Sequence, residues 1–551
     1  MGGIDEHLLT IVTFFPLVVA LGLMATSVIA SALGANGLPD TLWRAVALAA
    51  SILTFLLSLR LYATFDPLET GFQFTEHTPW IAEYGINYFV GIDGISLLLV
   101  VLTTFLMPVV LLASWNEISK SVRAYVFFML ALETGMLGAF VSLNLFQFYV
   151  FWEAMLVPMY FIIGIWGGPR RIYAAMKFFL FTMFGSLLML LAMIVVYYLN
   201  FEQTGVLNFD FVTGPGSAAV GLLDTVVPTE GIWWRSQTWL FFAFALAFAI
   251  KVPMFPLHTW LPDAHVEAPT SGSVVLAGVL LKMGTYGFLR FALPMFPTAA
   301  IAFTPWMMGL ALVGIVYGSL VAMVQSDIKR LVAYSSVAHL GFVMLGMFAL
   351  NLHGLNGSVL QMINHGLSTG ALFLLVGMLY ERRHTREISE FGGIAKPMPV
   401  FAAFFGVVMM SSIGLPMLNG FVGEFLILLG TFLVKPWAAV IATSGVVLAA
   451  AYMLWMYRRV MFGPVENEEN RGLMDLGVRE KVVLVAMVLP IIWIGVYPNP
   501  LLRRIEPSVI ELIRIVEARS SAAEAEVAGL AVPRPSSLQD SSVRSPHRVQ
   551  P

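Results

Sequence analysis

Apolar stretches of about twenty residues, nearly free of charge, follow one another along the chain from its first residues to about residue 500. A hydrocarbon layer about 30 Å thick takes roughly 20 residues of helix to cross, and only helices or closed barrels satisfy their backbone within it. The chain therefore reads as an all-α polytopic membrane protein. A window of about 19 residues predicts about 14 transmembrane helices, at 8–32, 42–61, 94–114, 122–142, 147–166, 174–199, 238–260, 269–294, 302–325, 330–350, 357–380, 400–430, 437–457 and 481–500. The first run lacks a basic segment before it, so it reads as a span and not as a cleavable signal.

With 59% hydrophobic and 11% charged residues, the chain is not a soluble domain with a large core. Its 47 glycines and 29 prolines fit kinked, closely packed membrane helices. A net charge of −3 carries no message about nucleic acid. Cysteine is absent, which removes disulfides, thiolate metal sites and iron–sulfur ligation. Any electron transfer is expected to take place elsewhere, with neither metal nor redox cofactor held here.

The basic residues orient the spans. Odd-numbered loops hold 17 of the 30 lysines and arginines and even-numbered loops only four, among them Arg290. That imbalance predicts an even number of spans with odd loops cytoplasmic and both termini on the outer, periplasmic side. The outer segments 62–93 and 200–236 read as surface hairpins or interfacial structure. From about Ser520 the sequence is rich in Ser, Pro and charge, which predicts disorder or loose attachment.

A charge at the centre of a span costs roughly 2.5–3.5 kcal/mol on insertion scales. Seven titratable residues nevertheless fall within spans: Glu133, Glu153, Lys251, Lys282, His339, His365 and Glu424. Spread over seven helices, they suggest a chain of proton-exchanging groups. Burial and a neighbouring carboxylate pull a lysine's proton affinity in opposite directions, so a Glu153–Lys251 pair would act as a switch. The plainer alternative is that each residue is a satisfied interior polar group that fixes helix packing. Glu133, nearer the cytoplasmic half of its span, is the weakest candidate among the carboxylates.

Two spans are broken beside a charge. AIKVPMFPLHTW places Pro253 and Pro256 after Lys251, and SSIGLPMLNGFVGEF places Gly414, Pro416, Asn419 and Gly420 before Glu424. Proline inside a helix removes a backbone hydrogen bond and clashes with the preceding turn. Discontinuous spans at corresponding places in two halves point to an ion site near the membrane midplane. Taking spans 4–8 and 9–13 as repeats makes spans 7 and 12 correspond, and five spans per repeat would invert the second.

The segments FWEAMLVPMYFIIGIWGG, IKVPMFPLHTWLPDAHVEAPTSGSVVLAGVLLKMGTYGFLR, SDIKRLVAYSSVAHLGFVMLG, INHGLSTGALFLL and GLPMLNGFVGEF resemble the subunit M (chain 4) family of bacterial NADH–quinone oxidoreductase, respiratory complex I. The resemblance runs from about residue 90 to 460, and glutamate at 424 in place of lysine fits chain 4 among the antiporter-like proteins. It implies fourteen helices with two inverted five-helix repeats and discontinuous helices 7 and 12. It also implies a proton-translocating subunit of the membrane arm in the bacterial inner (plasma) membrane. The other membrane-arm subunits, especially the other antiporter-like ones, would be its partners. NADH, FMN, iron–sulfur clusters and quinone would belong to other subunits. By the same resemblance Glu153 and Lys251 are a coupling pair, Lys282 is the central lysine, and Glu424 is the terminal carboxylate. His258, His339 and His365 would support the axis between them. Asp327 and Lys329 read as helix-end charges. Asp263, His265 and Glu267 read as caps or as part of proton entry.

The expected organisation is three N-terminal helices (1–121), a first repeat (122–294), a second (295–462), the helix 14 region (463–504) and a tail (505–551). The rival functions are a cation/proton antiporter subunit working alone or in a multisubunit carrier, and a scaffold whose buried charges only set helix register.

Overall fold

The computed structural model describes residues 6–33, 38–215, 217, 219–229 and 232–527. Its helices are α1 (Leu8–Ala32), α2 (Asp40–Thr64), α3 (Gly94–Ala113), α4 (Val122–Val141), α5 (Leu145–Ala154), α6 (Leu156–Trp166), α7 (Arg171–Thr204), α8 (Gln237–Lys251) and α9 (Trp260–Glu267). They continue with α10 (Thr270–Met295), α11 (Pro297–Met323), α12 (Ile328–Met347), α13 (Leu352–Arg383), α14 (Pro399–Ser412), α15 (Asn419–Val434), α16 (Pro436–Met461), α17 (Val478–Val496) and α18 (Asn499–Val527). Every predicted window is occupied by helix. Among the described residues 11 helices are long and apolar enough to cross a membrane, or up to 12 if the bent pair α17 and α18 is one span. The windows 238–260 and 400–430 are instead filled by shorter pieces, α8 with α9 and α14 with α15.

The helices form two shells. The apolar windows of α10 and α13 are buried throughout and those of α3, α4 and α12 largely so, whereas fewer than half of the residues in the windows of α1, α2, α7, α11 and α16 are buried. Inner helices apolar on all faces need protein on every side, and outer ones meet lipid or partner subunits. Buried hydroxyls bond back to carbonyls one turn earlier, as Thr54 does to Ala50 and Thr103 to Leu99, so few are left unpaired in the apolar interior. Asn144, Asp327 and Asn351 cap the first turns of α5, α12 and α13 with their side-chain oxygens.

At one end, strands β1 (Gln73–Ile81) and β2 (Ile86–Ile92) form an antiparallel hairpin that turns at Gly85. Its carboxylate neighbour Asp210 is buried and accepts from Asn87 at 2.8 Å and from Asn144 at 2.9 Å. The start of α1 reaches the same end, where the Thr10 hydroxyl donates to Glu76 at 2.7 Å. So does α18, through Ser508 to the Gly94 amide at 2.9 Å and Arg519 to the Thr225 carbonyl at 2.9 Å.

Two expectations change. Helix α18 runs to Val527, past Ser520, because SSAAEAEV is rich in strong helix formers; the rest of the stretch read as disordered lies outside the described residues. Arg290, read as a loop cation, is buried in α10 and pairs with Asp93 at 2.6 Å.

Candidate functional site

Lys282, His339, His365 and Glu133 lie on inner helices, and Lys251, Glu424 and Glu153 on the shorter helices α8, α15 and α5. Within α10 the hydrogen bonding shifts to the wider π pattern at Leu276–Leu280, which breaks the regular ladder just before Lys282. The Lys282 ammonium donates to the Ala277 carbonyl in that segment and contacts His365 Nδ1 at 2.6 Å. Gly366 makes this meeting possible: a Cβ there would lie 2.9 Å from the Gly278 carbonyl oxygen, so only glycine lets α13 come this close to α10.

His365 and His339 face each other with ring centroids 5.8 Å apart. His339 Nδ1 lies 3.1 Å from Glu424 Oε1, and its Nε2 lies 3.3 Å from the Ser412 hydroxyl. Gln361 donates to the same Glu424 oxygen at 3.3 Å. The second carboxylate oxygen lies against the break between α14 and α15, where Gly414 has φ +75° and a Cβ would stand 2.7 Å from it. Lys282, His365, His339 and Glu424 therefore form one buried line. A water-sized cavity lined by His339, His365, Gln361, Asn364, Ser368 and Ser412 flanks the gap between the two rings.

Lys251 ends α8, where unpaired carbonyls and the helix dipole favour a cation. It is buried, and its Nζ has no hydrogen-bond partner among the described residues. The amine stands 4.4 Å from the centre of the Trp152 ring. The expected direct pair with Glu153 is not formed: no hydrogen bond or ion pair joins the two, although Glu153 is within electrostatic reach. Successive helical residues point about 100° apart, so α5 presents Trp152 to Lys251 and turns Glu153, which is half-buried, aside.

The remaining candidates make no hydrogen bond to the line among the described residues, although His265 is within electrostatic reach of Lys282 and His365. His258 packs in an aromatic pocket with ring centroids 5.2 Å from Tyr317 and 5.8 Å from Phe255, and Glu133 is fully buried with neither oxygen partnered among the described residues. His265 stacks on Phe373 at 4.7 Å. Asp263 pairs with Lys177 at 2.7 Å, and Glu267 accepts from the Arg170 amide at 2.8 Å. Asp327 caps α12 and pairs with Arg386 at 3.2 Å, while Lys329 donates to the Ala268 carbonyl at the end of α9 at 2.5 Å. Both therefore serve helix ends, as read from the sequence.

Trp152, Asp93 and the Gln361, Asn364, Ser368, Ser411 and Ser412 cluster around Asn419 were not singled out from the sequence. One signal was available: Gln361, Asn364, His365 and Ser368 follow helical spacing, a polar stripe along an otherwise apolar span.

Residues 142–449, more than half of the chain, match the family described as NADH:quinone oxidoreductase/Mrp antiporter, and residues 37–138 match the amino terminus of NADH-ubiquinone oxidoreductase chain 4. NADH-quinone oxidoreductase subunit M of Rhodobacter capsulatus is 49% identical over 511 residues, 92% of this chain and 97% of the relative. The chain belongs to the NADH-quinone oxidoreductase subunit M family. Chain 4 of Arabidopsis thaliana is 44% identical over 86% of this chain and 92% of its own length. Among solved structures, a chain of respiratory complex I from Thermus thermophilus with bound NADH superposes with TM-score 0.80 at 32% identity, covering 92% of this chain and 99% of that one. A chain of the Mrp complex from Dietzia sp. shares the fold, with TM-score 0.75 at 19% identity over 94% of this chain and 100% of that one. As a subunit M family member, the chain is an antiporter-like, multi-pass membrane-arm subunit of the oxidoreductase assembly.

Proposed function

We propose that this subunit moves protons along Lys282, His365, His339 and Glu424, with Lys251 and Glu153 as the responsive group of the first half. The observation that carries the reading is the buried line in which the 2.6 Å Lys282–His365 and 3.1 Å His339–Glu424 contacts flank one histidine–histidine step. Imidazole can take a proton at one ring nitrogen and release it from the other, and the carboxylate at the end accepts it. No redox centre is needed in this chain. NADH, FMN, iron–sulfur clusters and quinone act in other subunits, and their chemistry reaches Lys251 as a change in neighbouring charge. The working unit is the assembled complex, with other antiporter-like subunits beside this one, in the bacterial inner membrane with both termini outside. Residues 122–294 and 295–462 act as two inverted halves after an N-terminal unit (1–121), and the two broken spans complete fourteen crossings. The region 463–504 and the tail from 505 close the chain.

Lys251→Ala should leave the complex assembled while NADH-driven proton uptake into inside-out vesicles falls sharply. Near-normal pumping would refute the reading. The antiporter alternative shares this fold, so a different assay separates them: ion exchange by the purified single chain in liposomes would favour a self-sufficient carrier.

A further inference from the structure

The short helix α9 sits on the far side of the break after Lys251, and two side chains hold it there. Asp263 accepts from Lys177 of α7 at 2.7 Å, with the two side chains 20% and 19% exposed. Arg330 approaches the other Asp263 oxygen at 3.9 Å, and the Lys177 ammonium stands 5.7 Å from the Tyr173 ring centre. One residue beyond Lys177, Phe178 packs on Trp260 with ring centroids 5.3 Å apart. The Trp260 indole N–H then donates to the Ile250 carbonyl at 2.8 Å, the residue before Lys251. Trp260 and Asp263 are three residues apart and so share one face of α9. At only eight residues, α9 does not hold its place by its own hydrogen bonds. Its last carbonyls are pinned by Lys329, Arg386 and the Gly168 amide, which sets a pivot at that end, while its buried first turn is tied to α8 through the Trp260 bond.

Behind this face lies His258, whose Nδ1 has no partner among the described residues and which is within electrostatic reach of Lys177. We propose that the Lys177–Asp263 ion pair is a latch: it keeps α9 and Trp260 against the end of α8 and closes the route from the aqueous end to His258 and Lys251. Lys177 and Asp263 are positioning residues for proton intake, and the idea rests on the role given to Lys251. When the pair parts, α9 pivots about its pinned end. Trp260 leaves the Ile250 carbonyl, and the buried stretch around Met254 meets water.

The chain has no cysteine, so a thiol placed at the buried Met254 reports access on this chain alone. In inside-out vesicles holding the whole complex, labelling of Met254→Cys by a membrane-impermeant maleimide is read on this chain by mass spectrometry. Lys177→Gln and Lys177→Asp should each raise the labelling rate about fivefold or more, and proton uptake per NADH should fall with them. The exchange Lys177→Asp with Asp263→Lys should return both towards the parent, which a general packing defect would not. Unchanged labelling in the single variants, or an exchange variant no better than they are, overturns the latch. Labelling that follows the latch while pumping stays intact keeps it and overturns the role given to Lys251.

Discussion

Replacing Gly366 by alanine tests whether the spacing of two inner helices sets the proton line. The added methyl would lie 2.8 Å from Leu102 Cδ2 and 2.9 Å from the Gly278 carbonyl oxygen. The leucine tip can turn away. The carbonyl belongs to the backbone of α10, so α13 must retreat by about half an ångström to reach ordinary contact. Overpacking of this kind costs about 1–3 kcal/mol of stability. His365 precedes Gly366, so the same retreat lengthens its 2.6 Å contact with Lys282 beyond the range of about 2.7–2.9 Å for charge-assisted bonds. A loss of about 1 kcal/mol there slows transfer roughly fivefold. The assay is NADH-driven acidification of inside-out vesicles, with thermal unfolding of the purified complex alongside. Gly309 on α11 is the control, since a methyl there meets nothing within 4 Å. If Gly366→Ala pumps and melts like Gly309→Ala, close approach of α10 and α13 does not govern the line.

Arg290→Gln leaves the buried Asp93 carboxylate without its 2.6 Å partner, at a cost of about 3–5 kcal/mol; thermal unfolding should show it, with the Asp93→Asn, Arg290→Gln double variant recovering most of the loss. Burial pushes the Asp93 carboxyl up, but Arg290 and the bonds from Ser96 outweigh it and leave the group below its ordinary value. Its contribution is therefore complete above the unfolded value and lost as pH falls through the lower folded one, so the wild type's advantage over Asp93→Asn should shrink only below about pH 4. Lys282→Met should abolish pumping and cost about 1–3 kcal/mol, because the Ala277 carbonyl loses its donor; intact pumping in vesicles would contradict the line. Trp152→Leu removes the ring face 4.4 Å from Lys251, an interaction of about 2 kcal/mol when desolvated. It should impair pumping more than Trp152→Phe in the same vesicles.

Much of the fold was legible because a membrane allows so few solutions. Apolar windows located the long helices up to α17 but not α18, and Pro253 with Pro256 and Gly414 with Pro416 marked both breaks. Which charges meet was not legible, since that depends on how helices distant in sequence turn towards one another. Lys282 and His365 come together through a π segment and a glycine contact, neither of which alters hydropathy. Glu153 and Lys251 looked like a pair because both are charged and lie within spans, yet the ring next to the Lys251 amine is that of Trp152, one residue earlier. Arg290 sits near a span end, where a cation normally marks a loop, and only its distant partner Asp93 explains its burial. The helicity of 520–527 was written in its alanines and glutamates but outweighed in a reading that weighed serine, proline and charge across the whole tail.

Lys251 and Lys282 are held differently, and that difference bears on how the chain can be driven. Lys282 has a carbonyl and an imidazole at hand, so its surroundings change little unless the line itself moves. Lys251 has an aromatic face and a helix end, with no hydrogen-bonding partner among the described residues. A buried ammonium with so little compensation costs several kcal/mol, so the charge on Glu153 decides how much of that cost is offset. Glu153 is half-buried, whereas Lys251 and the residues of the line are buried. A signal arriving from a partner subunit would therefore act first at Glu153 and Lys251. The Lys282 to Glu424 line would follow, because Glu153, the half-buried member, acts on Lys251 before the fully buried residues.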